Sequence, residues 1–148
     1  ADHLRMTPPE GIEAMKKAGV VATLLPGTTF YLSKPTYAPA RQMLDAGLRV
    51  ALATDRNPGS CTIESMLLIV GLAVQRMGMT PLEAIEASTF GGACALGREE
   101  SSGALEAGKK ADLILWEVAH EDQLVYEFTN DVKRSVWTGG RLSADGKI

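Results

Sequence analysis

The sequence contains little cysteine and no excess of positive charge. Its two cysteines, Cys61 and Cys94, form no Cys-x-x-Cys pair, which argues against a disulfide framework and against a structural zinc site. Lys and Arg number 15 against 18 Asp and Glu, for a net charge of −3, so no basic surface for the phosphates of nucleic acid is indicated. We therefore expect a cytoplasmic protein that has no nucleic-acid partner.

Long hydrophobic runs are also missing. The longest, residues 66–74, is far shorter than the roughly 20 residues that span a bilayer. The first residues do not have the charged-then-apolar order of a secretion leader. We expect neither a membrane partner nor export. A closed (β/α)8 barrel takes about 250 residues, so a chain of 148 residues is not expected to complete one.

The composition, 45% hydrophobic and 22% charged, is that of an ordinary folded domain. Two apolar runs, residues 20–25 and 48–53, are rich in branched side chains and are typical of parallel strands buried on both faces. Helix patterns surround them, and residues 28–39 are predicted to be a loop. The predicted helices cover about residues 7–18, 38–46, 63–77, 80–87 and 88–96.

Three of these helices carry a predicted start signal. The motifs T-P-P-E at residues 7–10 and T-P-L-E at residues 80–83 each combine a capping hydroxyl with a proline and a carboxylate. Ser60 or Thr62 is predicted to cap the helix over residues 63–77.

The pattern changes after Gly97. Residues 98–110 are polar and glycine-containing, and residues 111–116 and 132–138 read as strands, with Gly139-Gly140 as a hairpin turn. The sequence therefore predicts two units, residues 1–97 as part of a parallel α/β unit and residues 98–148 as a small, mostly antiparallel β unit.

Two polar residues stand where parallel α/β folds build their sites, at the carboxyl ends of strands. Asp55 directly follows the strand over residues 48–53, and a carboxylate there can bind a metal or act as a base. An Asx turn is the structural alternative. His3 precedes the first helix, where the end of a preceding strand is expected, so we expect residues upstream of Ala1. A lone histidine more often has a structural role, but Asp55 on the same rim favours a functional role for His3.

The turn after Asp55 offers polar groups for a ligand. Asn57 supplies an amide, Gly59 allows close approach to the backbone, and Ser60 is expected at a helix N-terminus, where free N–H groups attract anions. This group is predicted to hold a carboxylate or a carbonyl oxygen. A proline-glycine turn with a capping serine is the structural alternative.

The G-x-L-x-x-G-K-x-A-D-L pattern at residues 103–113, followed by V-W-T-G-G at residues 136–140, resembles the closing segment of the metal-dependent amidohydrolase superfamily. The resemblance implies an α/β fold. Residues 1–97 would be the C-terminal βα units of a TIM-like (β/α)8 barrel, and residues 98–148 would be closing strands of a small β-sandwich (composite) domain.

Within that superfamily, three segments resemble the imidazolonepropionase family: T-D-R-N-P-G-S at residues 54–60, A-D-H-L at residues 1–4 and L-L-P-G at residues 24–27. The family's reaction is hydrolysis of the cyclic amide C–N bond of 4-imidazolone-5-propanoate to N-formimidoyl-L-glutamate in histidine degradation.

The resemblance also implies a role for each site residue. Asp55 would ligate a single zinc or iron ion and accept a proton from the attacking water, and His3 would hydrogen-bond the substrate carbonyl. The substrate or product would be held by Asn57, Gly59 and Ser60.

The family's other metal ligands, an H-x-H pair and a further histidine, are expected upstream of Ala1, as is an acidic residue that orients water. We therefore expect the 148-residue chain alone to be metal-free and inactive, and to self-associate or aggregate through exposed apolar strand edges and faces unless the rest of the chain is present. The expected partners of the protein are its small-molecule substrate and further copies of itself, as a homo-oligomer. Two alternatives stay open. One is another amidohydrolase, cytosine-deaminase-like or chlorohydrolase-like, and the other is a non-catalytic half-barrel that assembles with itself or another chain.

Overall fold

The computed structural model describes residues 1–130 and 132–145 and contains a parallel pair of strands, an antiparallel sheet and the helices around them. In chain order the elements are α1 (Pro9–Lys17), β1 (Ala22–Leu24), α2 (Pro26–Tyr31), α3 (Ala40–Asp45), β2 (Val50–Leu52), α4 (Met66–Met77), α5 (Pro81–Ser88), α6 (Phe90–Ala95), β3 (Leu113–Trp116), α7 (Asp122–Tyr126), β4 (Lys133–Thr138) and β5 (Arg141–Asp145).

The two predicted buried strands pair in parallel as β1 and β2, with Leu24 opposite Leu52. Both leucines are buried, which fits the apolar runs from which the strands were predicted. On the other side of β1, Asp2 forms a parallel bridge with Thr23. The carboxyl ends of these three parallel segments therefore lie along one edge. The residues that follow each segment start close to one another at this edge.

Helices cover these strands and supply most of the core. The largest fully buried side chains include Leu24 of β1, Met43 of α3 and Ile69 of α4. Gly91 of α6 packs so closely on β2 that a Cβ there would lie 2.2 Å from the carbonyl oxygen of Val50. Close packing of this kind holds β2 in place and thereby fixes where the chain after it emerges.

The predicted helix starts have different outcomes. The capping box at α5 is confirmed, since Thr80 accepts from the backbone of Glu83 and the Glu83 side chain accepts from that of Thr80. At α1 the predicted cap by the Thr7 hydroxyl is wrong, because this hydroxyl donates to the carbonyl of Leu4 and Pro8 is the N-cap. At α4 the cap is Ser65, which accepts from the backbone of Leu68, so Ser60 and Thr62 were wrong.

Two short helices were missed. α2 occupies the start of the predicted loop, with Pro26 in its first turn. α7 places Leu124 and Val125 in buried positions, and the nearby Phe128 ring lies where a Cβ on Gly71 of α4 would be. The region after residue 97 therefore packs partly on the helices that precede it.

The antiparallel sheet follows the predicted strands. Its order is β3-β4-β5, and Gly139 and Gly140 connect β4 to β5 with positive φ angles of 55° and 76°, as a tight hairpin turn requires. In the described part of the chain, no helix is long and apolar enough to cross a membrane. Part of the predicted 98–148 unit, residue 131 and residues 146–148, lies outside the described residues.

Candidate functional site

The structure brings His3 and Asp55 together at the carboxyl edge of the parallel strands. The imidazole Nε2 of His3 lies 3.9 Å from Oδ2 of Asp55, and the two side chains are 58% and 27% exposed. This distance is longer than a hydrogen bond, so the two groups are neighbours without a direct bond. Their exposure shows that solvent reaches both of them. They come from segments 52 positions apart in sequence that only the β-sheet places side by side.

Both residues have an unusual backbone conformation. His3 has a φ of 66° and Asp55 a φ of 52°, in the left-handed region that costs a non-glycine residue about 1–2 kcal/mol. Among the described non-glycine residues, only Leu4 and Ser33 share this feature. Backbone strain persists where surrounding contacts enforce it, and it concentrates at functional sites.

Thr28 contacts the candidate site and was not predicted from the sequence. Its hydroxyl donates a hydrogen bond of 2.6 Å to Oδ2 of Asp55, and the residue is only 8% exposed. Its place in the sequence held a usable signal, because Thr28 follows the carboxyl end of β1 just as Asp55 follows that of β2. The rule that selected Asp55 took a residue directly after a strand, and it would reach Thr28 only if extended to the fourth residue after β1.

The turn over residues 55–60 is organised by the side-chain amide of Asn57. Its Nδ2 donates to the carbonyl of Asp55 at 2.7 Å and to Oγ of Ser60 at 3.0 Å. Its Oδ1 accepts from the backbone N–H groups of Gly59 at 2.9 Å and Ser60 at 2.8 Å. The amide thus holds the turn together and clamps the backbone of Asp55.

This arrangement corrects the predicted anion site. Ser60 does not lie at a helix N-terminus, since α4 begins at Met66, and the N–H groups of Gly59 and Ser60 are used by Asn57. Gly59 still faces open space: a Cβ there would meet only Asn57 Oδ1, at 3.4 Å. Contact of Asn57, Gly59 and Ser60 with a substrate stays a prediction.

Asp55 is suited by chemistry to be one ligand of a metal ion. Oδ2 is held by Thr28, whereas Oδ1 accepts no hydrogen bond from any residue in the described ranges. A mononuclear catalytic site takes about three protein ligands. The described residues contain no group of three or more His, Cys, Asp or Glu side chains that could hold a metal, so among them Asp55 is a candidate for one ligand only.

A cavity of about 420 Å³ lies at the opposite edge, beside the amino ends of β1 and β2. Lys16, Arg49 and Glu86 contribute to its lining, and the Arg49 and Glu86 side chains pair with each other at 3.1 Å. Sites in parallel α/β folds form at the carboxyl ends of strands. The edge that carries His3 and Asp55 is therefore the candidate functional site.

Sequence comparisons find relatives over nearly the whole chain. A family model described as the amidohydrolase family matches residues 3–142. Curated relatives named imidazolonepropionase include those of Bacillus cytotoxicus, 43% identical over 97% of this chain, Bacillus velezensis, 46% over 94%, and Shouchella clausii, 45% over the whole chain. The chain spans about a third of the length of these relatives, 34%, 33% and 33% respectively.

Solved structures share the fold at low sequence identity. An atrazine chlorohydrolase from Arthrobacter aurescens, complexed with zinc and atraton, superposes with a TM-score of 0.85 at 24% identity, over 97% of this chain and 35% of its own. An adenosine deaminase from Xanthomonas campestris with bound zinc gives 0.82 at 23%, over 96% and 36%. These matches confirm the expected α/β fold, part of a TIM-like barrel with part of a small β domain.

Proposed function

The chain belongs to the amidohydrolase family, and we propose that it is the C-terminal part of an imidazolonepropionase. The whole protein would hydrolyse 4-imidazolone-5-propanoate to N-formimidoyl-L-glutamate in histidine degradation. The observation that carries this choice of substrate is the 42–46% identity to curated imidazolonepropionases over nearly the whole chain. The geometry of the candidate site supports the hydrolytic chemistry.

In the proposed reaction, the oxygen of a water molecule adds to the ring carbonyl carbon, and the bond from that carbon to the ring nitrogen then breaks. Asp55 accepts a proton from the water and later gives it to the departing nitrogen. His3, 3.9 Å from Asp55, hydrogen-bonds the carbonyl oxygen as negative charge develops on it. Asn57, Gly59 and Ser60 hold the substrate, at the turn that the Asn57 amide organises.

The cofactor of the proposed enzyme is one zinc or iron ion. Asp55 would be one of its ligands, and the remaining ligands would come from outside the described residues. When bound, such an ion lowers the pKa of a water molecule toward 7 and so makes hydroxide available at neutral pH.

We also propose the remaining features expected from the sequence. Residues 1–97 would belong to the barrel and residues 98–148 to the small β domain, a division supported by the separate parallel and antiparallel sheets. A cytoplasmic location is supported by Cys61 and Cys94, which are both free thiols. The partners would be the small-molecule substrate and further copies of the protein, without nucleic acid or a membrane.

Another amidohydrolase activity is the second candidate. It is favoured by the fold that the chain shares with two deaminases and a chlorohydrolase. Their identity to this chain is below 25%, so they speak for the fold rather than for the substrate. The alternative to an enzyme is a non-catalytic half-barrel that assembles with itself or with another chain.

The deciding experiment supplies the whole protein with imidazolone propionate and follows the loss of imidazolone absorbance. Loss of absorbance with formation of N-formimidoyl-L-glutamate is expected, and Asp55→Ala should lower the rate about 10²- to 10⁴-fold. In parallel, ammonia or chloride release is measured with aminated and chlorinated heterocycles. Turnover of these compounds without turnover of imidazolone propionate would select the second candidate, and turnover of none would favour the half-barrel.

A further inference from the structure

We infer that Thr28 is a positioning residue that holds the Asp55 carboxylate in its working orientation. This inference rests on the proposed function, because it assigns a role to Asp55 in that reaction. The role differs from catalysis proper, since Thr28 would act through Asp55 and would not touch the substrate.

The first argument is the hydrogen bond itself. At 2.6 Å the Thr28 hydroxyl makes a short, charge-assisted bond to Oδ2 of Asp55, of the kind that is about twice as strong as a neutral one. Because the other oxygen, Oδ1, has no hydrogen-bond donor among the described residues, the bond divides the carboxylate into one held atom and one available atom. The available atom can then face a metal or a water molecule in a constant direction.

The second argument is the rigidity of the support under Thr28. A Cβ on Gly27 would lie 2.7 Å from Cδ1 of Ile69, so the start of α2 sits directly on the fully buried Ile69 of α4. Thr28 itself is 8% exposed and β-branched, which restricts its χ1 rotation. The hydroxyl is therefore presented to Asp55 from a packed element.

The third argument is that Asp55 needs such support. Its backbone is in the left-handed region, at a φ of 52°, and Asn57 clamps only its carbonyl group. The side chain is 27% exposed, and Nε2 of His3 lies 3.9 Å from its Oδ2, beyond hydrogen-bond distance. Without Thr28, no described residue would restrain the carboxylate through a hydrogen bond.

The test compares Thr28→Val and Thr28→Ser in the whole protein. Valine keeps the branched shape without the hydroxyl, and serine keeps the hydroxyl. The matched control is Thr29→Val, because Thr29 belongs to the same helix and its hydroxyl donates to the carbonyl of Leu25 rather than to Asp55. Metal retained after dialysis against a chelator is measured first, and kcat and KM for imidazolone propionate are measured second.

We expect Thr28→Val to lower metal affinity and kcat by about 10- to 100-fold, the usual effect of removing a group that orients a metal ligand, while KM changes less than about twofold. Thr28→Ser should keep metal affinity and kcat near the wild-type values, and Thr29→Val should leave both unchanged. Metal retention and kcat equal to the wild type in folded Thr28→Val would overturn the inference. If the valine variant does not fold, Thr28→Ala carries the same comparison, since alanine also removes the hydroxyl and adds neither a donor nor a metal ligand.

The two proposals fail in distinguishable ways. A wild-type protein that turns over no imidazolone propionate, together with metal loss specific to Thr28→Val, would remove the proposed substrate and keep the role of Thr28. Turnover of imidazolone propionate by all variants at one rate, with equal metal retention, would keep the proposed function and remove that role.

Discussion

The guanidinium of Arg41 in α3 reaches the carboxylate of Glu83 in α5, with Nη1 2.9 Å from Oε2. The same carboxylate accepts from the backbone N–H of Thr80 and so closes the capping box of α5. One side chain therefore joins two helices and caps one of them. Hydrogen bonding from Arg41, followed by that from Thr80, lowers the pKa of Glu83 below its ordinary value of 4.5, and Glu83 in turn raises the pKa of Arg41.

This pair predicts a pH-dependent contribution to stability. Because the pKa of Glu83 is lower in the folded state than in the unfolded state, the contribution is complete above pH 4.5 and is lost as the pH falls through the folded-state pKa. Glu83→Gln should therefore lower the urea midpoint at pH 7 and have a smaller effect near pH 3. Urea unfolding followed by circular dichroism at both pH values measures this.

The matched control is Glu86→Gln, whose carboxylate pairs with Arg49 in an exposed position. A surface pair of this kind contributes little, so its replacement should have a small effect at both pH values. An effect of Glu83→Gln that is the same at pH 7 and pH 3 would contradict the assigned cause.

The second prediction concerns the two histidines. His3→Ala should lower kcat of the whole protein by about 10²- to 10³-fold, as expected on removing one donor to a developing oxyanion. His120→Ala is the control, because His120 is exposed and its neighbours are Glu121 and Asp122, away from the candidate site. Steady-state kinetics with imidazolone propionate compare them, and equal losses in both variants would count against the role of His3.

The third prediction separates two glycines near the site. Gly59→Ala should leave the melting temperature unchanged, since a Cβ there meets only Asn57 Oδ1 at 3.4 Å. If the substrate approaches this position, KM should rise about tenfold, the equivalent of about 1.4 kcal/mol. Unchanged KM in Gly59→Ala would argue against substrate contact at Gly59.

Gly27→Ala provides the contrast in the same experiment. Its added methyl group would lie 2.7 Å from Cδ1 of the fully buried Ile69. Overpacking of this kind typically costs about 1–3 kcal/mol of stability. Gly27→Ala should therefore lower the melting temperature, which thermal unfolding monitored by circular dichroism would reveal.

The fourth prediction concerns the 148-residue chain by itself. It should purify without stoichiometric metal and without ring-opening activity, because its described residues provide no cluster of three ligands. It should also self-associate, since Phe30 and Tyr31 are about half exposed and no strand in the described part pairs with the outer edge of β2. Elemental analysis, the absorbance assay and sedimentation velocity check these outcomes. About one metal per active chain would contradict the ligand argument.

Local patterns were enough to identify the strands and the best-marked helix. β1 and β2 are short apolar runs in which burial on both faces selects branched side chains, and α5 carries its own capping box. Asp55 and His3 could be selected because parallel strands expose their carboxyl ends at one edge. These features depend on neighbours in sequence or on a periodicity that a single segment contains.

The sequence by itself therefore determined the α/β class, the two kinds of sheet and the identity of Asp55 and His3 as candidates. Tertiary structure alone decided the contacts of those candidates. The 2.6 Å bond from Thr28 joins residues 27 positions apart, and the packing of α7 on α4 rests on buried Leu124 and Val125 in a helix too short to be predicted from propensity. A side chain such as Asn57 offers the same donors to a ligand or to its own turn, and only the folded backbone settles which of them are already used.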